Sequence, residues 1–127
     1  MNFPKWIKPF FIVAALYDGI LGILFLTIPM QIFKMANITP PNHIGYVQFP
    51  GALLIIFSIM FFNIAKDPKA NRDLIIYGIL LKISYCSVVF FNWILDNIPS
   101  IWVLFGFFDL VFLIIFIVAY KTIKETV

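Results

Sequence analysis

Three ionisable residues stand inside long apolar stretches of this sequence: Asp18 in "AALYDGILGILFL" (14–26), Lys82 in "YGILLKISYC" (77–86) and Asp109 in "LFGFFDLVFLIIF" (104–116). A lone charge at the centre of a bilayer costs about 2.5–3.5 kcal/mol or more, so such residues turn inward and seek partners. Lys82 can pair with either carboxylate. Two acids against one base leave a formal charge of −1, and the least costly remedy is a shared proton or a protonated Asp. A carboxylate in excess of its counter-charge can bind and release a proton, or hold the polar head of a ligand. The same three residues can equally be polar glue that fixes the register of packed helices.

The elements that carry these residues are membrane-spanning helices. The chain has 127 residues, of which 63% are hydrophobic and 12% charged, with a mean hydropathy of +1.04. Soluble domains average about 45–50% apolar and about 25% charged residues. A span needs about 20 mostly apolar residues, and four candidates appear at 9–28, 46–65, 74–95 and 101–120. Pro29 ends the first. "NITPPNH" (37–43) breaks a first long loop, "KDPKANRD" (66–73) is a charged turn and "DNIPS" (96–100) is a tight turn. The expected fold is all-α: an integral membrane four-helix bundle with short loops, forming a single transmembrane domain over residues 1–127. Lys5 and Lys8 precede an apolar run, as in a signal peptide. The run is membrane-length and no small-x-small cleavage site follows, so a retained first helix is expected.

Basic residues set the orientation. Seven of the nine, Lys5, Lys8, Lys66, Lys69, Arg72, Lys121 and Lys124, fall on one side of the expected spans. Lys34 falls on the other, and Lys82 lies within a span. Both termini are therefore expected to face the cytoplasm. Trp6, Trp93, Trp102, Tyr46 and Tyr120 lie near span ends, as in an aromatic belt. Counted from the basic side, the three intramembrane charges sit about 8–11 residues deep, roughly 12–17 Å at a helical rise of about 1.5 Å per residue. They share one layer near the midplane.

Helical spacing groups further residues with that layer. Ala15, Gly19 and Gly22 form a small-residue stripe suited to close packing. Gly78, Lys82, Tyr85, Cys86 and Val89 share one face, as do Trp102, Phe105, Asp109, Phe112 and Phe116. In "YVQFPG" (46–51), Pro50 removes a helix hydrogen bond and can bend the helix beside Gln48, shaping a pocket mouth on the outer side. The candidate proton, ion or ligand site is thus Asp18, Lys82, Asp109, Tyr85 and Gln48. Asn37 in "NIT" is a formal glycosylation acceptor, and His43 reads as a solvated loop residue, with a pH-sensitive or ligand-contacting role as the alternative.

The "YDGILG", "YVQFPGALLIIF" and "YGILLKISYC" stretches on a four-helix, short-looped plan resemble the small bacterial four-helix membrane proteins of the DoxX-like neighbourhood. That resemblance implies a four-helix fold in a bacterial inner membrane, in a group with links to quinol oxidation and to assembly. Asp18 in the first span is similar in place to the essential carboxylate of the small multidrug transporters. Lys82, Asp109 and the one-sided charge bias depart from that pattern.

The leading expectation is proton- or ion-coupled transport or permeation of a small solute. Four helices enclose little aqueous space, so a homo-oligomer is expected with it. The alternatives are a binding module for a small amphipathic or lipid-like ligand such as a quinone, with Tyr85, Gln48, Lys82 and the Asp pair orienting its head, and a structural subunit of a membrane complex. An enzyme is the least favoured class. The sequence has no nucleophile–base pair or cofactor loop, and a Schiff base on Lys82 has no other support. With one cysteine and one histidine, no metal spacing exists, and no cofactor is expected. The lipid bilayer is the expected partner. No basic run suggests nucleic acid.

Overall fold

The structure is a computed structural model that describes residues 4–126, the last three by their backbone alone. The side chain of Lys124, one of the orienting charges, lies outside the described residues. The described chain is helical throughout: α1 (Ile7–Thr27), α2 (Pro29–Met35), α3 (Gly45–Lys66), α4 (Leu74–Leu95) and α5 (Ser100–Thr126). Four of these helices are long and apolar enough to cross a membrane. Their outward faces are apolar, with Ile12, Val13, Leu16, Ile20 and Ile23 of α1 all exposed. A helix bathed in water would carry polar residues there.

The segment expected as a first long loop contains a helix. Pro29 has no N–H to continue α1, and its fixed φ suits the first turn of a new helix, so one residue both stops α1 and starts α2. Asn37 ends α2 in a left-handed conformation (φ 57°), and the Ile38 N–H returns to the Phe33 carbonyl. The residue that reads as a glycosylation acceptor thus terminates a helix.

The long helices form two close pairs, α1 with α3 and α4 with α5, while α3 and α4 approach far less. Glycine sets the first pair. A Cβ on Gly22 would lie 2.6 Å from the Gly51 carbonyl oxygen, so the two backbones touch where no side chain intervenes. Ser58 Oγ donates to the Ala15 carbonyl across the same seam at 2.6 Å. Gln48 Nε2 donates to the Leu26 carbonyl at 3.2 Å, one of the carbonyls that the end of α1 leaves without an intrahelical partner.

The two pairs meet through aromatic side chains at the end that holds the basic residues. Phe11 stacks on Phe116 with centroids 5.4 Å apart, and Phe61 lies 5.1 Å from Phe116. Ile7, Ile64, Ile75 and Ile123 complete this core, each wholly buried. Arg72 binds the charged turn to the same end. Its Nε donates to the Tyr120 carbonyl at 3.0 Å and its guanidinium lies 3.6 Å from the Tyr120 ring centroid. The opposite half, towards α2, is not filled.

Candidate functional site

α1, α4 and α5 each project one charged side chain to the point where the packed half ends. Lys82 is 1% exposed and its ammonium holds both carboxylates. Nζ lies 3.0 Å from Asp18 Oδ1, 3.3 Å from Asp18 Oδ2 and 3.1 Å from Asp109 Oδ1. The rings of Phe112 and Tyr17 lie 5.3 and 5.5 Å from the same ammonium. Such burial is sustained only when each charge is paired and hydrogen-bonded.

The two carboxylates are not equivalent. Asp18 is bound through both oxygens. Asp109 is bound through Oδ1 alone, and no donor among the described residues reaches its Oδ2. An ammonium has three protons to give, and Lys82 directs its contacts to the other three oxygens. The oxygen left without a donor when two acids surround one base therefore has a definite place, the second oxygen of Asp109.

Asp18 and Asp109 line a cavity of about 450 Å³. It begins at Tyr17, Phe57, Leu81 and Asp109 and runs along the helices towards α2, so the ionic layer is its floor. Phe33 of α2 and Phe25 of α1 flank Trp102, with centroids 6.1 and 6.0 Å away, and all three line the far end. The side is open. The exposed residues of the lining, Tyr46, Pro50 and Leu53 of α3 and Ser84 and Val88 of α4, all belong to two helices that are not closely paired with each other. In a bilayer this gap faces lipid.

Of the five residues singled out from the sequence, Asp18, Asp109 and Tyr85 line the cavity, and Lys82 lies directly behind its floor. Tyr85 Oη donates to the Trp102 carbonyl at 3.0 Å, which fixes the ring between α4 and α5. Gln48 is placed elsewhere: it does not line the cavity, and its amide is turned to the end of α1. Beside it, Pro50 is at the lateral opening. Cys86 is buried with Sγ 3.5 Å from the Gly106 carbonyl. His43 accepts the Gly45 N–H at 2.9 Å, outside the cavity.

Two features escape a sequence reading. The Tyr17 hydroxyl is buried with no hydrogen-bond partner among the described residues, on a ring that lines the cavity. Its only signal is adjacency to Asp18. Phe33 belongs to a helix that is itself unannounced. Comparison of the chain with protein-family models, with curated proteins and with solved structures gives no match. Function is therefore argued from the geometry of this site alone.

Proposed function

We propose that this protein is a multi-pass membrane protein, with both termini cytoplasmic, that binds a small amphipathic ligand taken laterally from the bilayer. The observation that carries this reading is the cavity: apolar walls, a charged floor and a side open between α3 and α4. Ligand pockets are commonly about 300–1,000 Å³, lined by apolar and aromatic groups with a few convergent polar ones. The orientation rests on the basic residues of the N-terminal segment, the 66–73 turn and the end of α5, which gather at the packed end. The ligand's tail occupies the space among Leu54, Phe57 and Phe105, and its head meets the floor.

Native mass spectrometry of protein held in membrane-derived nanodiscs tests this. The wild type should release a bound organic species that is lost in Leu54→Trp, where the indole fills the cavity. A wild type that is empty in every preparation contradicts the reading.

Proton-coupled transport is a second reading, favoured by the unbonded Asp109 Oδ2. The close packing of Phe11, Phe61 and Phe116 behind the layer means that a continuous path calls for a second protomer or a rearrangement. Proton uptake by proteoliposomes separates the two readings. Transport predicts a flux that Asp109→Asn abolishes, and equal flux in wild type and variant excludes it.

A further inference from the structure

The chemistry of the floor restricts what can sit on it, given the ligand-binding reading above. Every hydrogen bond of the Lys82 ammonium goes to a carboxylate, and Tyr85 gives its proton to the Trp102 carbonyl. What remains towards the cavity is an acceptor, Asp109 Oδ2, with the Tyr17 hydroxyl unpartnered nearby. The layer carries −1 when both acids are ionised. An anionic head meets repulsion there, and a neutral head requires Asp109 to keep its proton. One positive charge with an N–H completes the layer in both charge and hydrogen bonding. The wall beside the floor suits a cation as well, since the Tyr17 ring lines the cavity next to Asp18 and aromatic faces attract cations.

We propose that the ligand is a lipophilic monoamine whose ammonium N–H is held on Asp109 Oδ2. A neutral amine arriving from the bilayer meets the protonated carboxyl. The O–H bond of Asp109 breaks, an N–H bond forms on the amine, and the proton is transferred with its charge. The total charge of ligand and layer stays at zero throughout. Proton and ammonium thus occupy the same oxygen in turn, and each displaces the other.

The test uses full-length protein in nanodiscs of zwitterionic lipid and three probes of matched tail: N,N-dimethyloctylamine, octan-1-ol and octanoate. Binding is followed through the fluorescence of Trp102, which lines the cavity, with Trp102→Phe giving the background from Trp6 and Trp93. A charge-assisted hydrogen bond predicts that the amine binds about ten-fold to a hundred-fold more tightly than the alcohol, and that octanoate binds most weakly. In Asp109→Asn the preference of amine over alcohol should vanish. Alcohol or octanoate binding as tightly as the amine in wild type overturns the amine assignment, with no variant needed, and leaves the cavity as a ligand site. So does an amine preference that survives in Asp109→Asn. If none of the three gives a saturable signal, the ligand-binding reading falls and the amine assignment with it.

Discussion

At the scale of single residues, the ionic layer depends on one cation. Lys82 stands 3.0 Å from Asp18 and 3.1 Å from Asp109, and all three side chains are buried. Lys82→Met leaves two carboxylates in an apolar interior with no counter-charge. Removing one partner of a buried ion pair costs about 3–5 kcal/mol in soluble proteins. A fall in thermal stability of that order is expected for Lys82→Met in detergent, with most of it recovered in Asp18→Asn/Lys82→Met/Asp109→Asn, which buries no charge. A single variant that melts like wild type would show the layer to be energetically idle. The type of these residues and their common level along the helices were legible in the sequence, because charge inside an apolar run is conspicuous and helical rise converts position into height along a helix. Which acid keeps a free oxygen was not. That depends on the side-chain torsions of Asp18 and Asp109 around one ammonium, which no spacing rule encodes. Gln48 was misplaced for a related reason: the sequence places it near a helix break but does not say that the end of α1, 22 residues earlier, offers it a carbonyl.

At the scale of elements, the cavity exists because the helices pair unequally. α1 and α3 are drawn together at Gly22 and Gly51, and α3 and α4 are left apart. Overpacking a well-filled interface costs about 1–3 kcal/mol. Gly22→Val should reach the upper part of that range or beyond, since the obstacle is a backbone carbonyl 2.6 Å from the new Cβ. Gly106→Ala should be mild, because its Cβ would meet the Phe90 ring at 3.1 Å, and a ring can shift. Thermal melting of the two variants side by side checks the contrast, and equal losses would contradict it. Hydropathy and turn residues made the four long helices legible: 74–95 was read as α4 occupies it, and the others begin or end within a few residues of expectation except at the end of α5. α2 was not legible. Its seven residues are too few for a periodic pattern, and Pro29 was read only as a stop when it is also a start.

At the scale of the whole molecule, one half is packed and the other hollow, with the charges at the boundary. The orientation proposed for that asymmetry across a bilayer rests on the basic residues. Cys86 is the only cysteine and is buried, so an introduced cysteine reports alone. Thr39→Cys should react with a membrane-impermeant maleimide added outside intact cells, and Ala70→Cys only after permeabilisation; the reverse pattern would invert the topology. The same asymmetry bears on why Asp109 is present. Lys82 and Asp18 already form a neutral pair, so the second acid adds a negative charge that packing does not require. Thermal melting of wild type, Asp18→Asn and Asp109→Asn in one detergent tests this most directly. Asn at 109 keeps the Oδ1 acceptor for Lys82 and neutralises the layer, whereas Asn at 18 gives up the two-oxygen contact. Asp18→Asn should melt lower than wild type and Asp109→Asn should not. Asp109→Asn melting as low as Asp18→Asn would make the second acid a structural partner and contradict its assignment to a ligand.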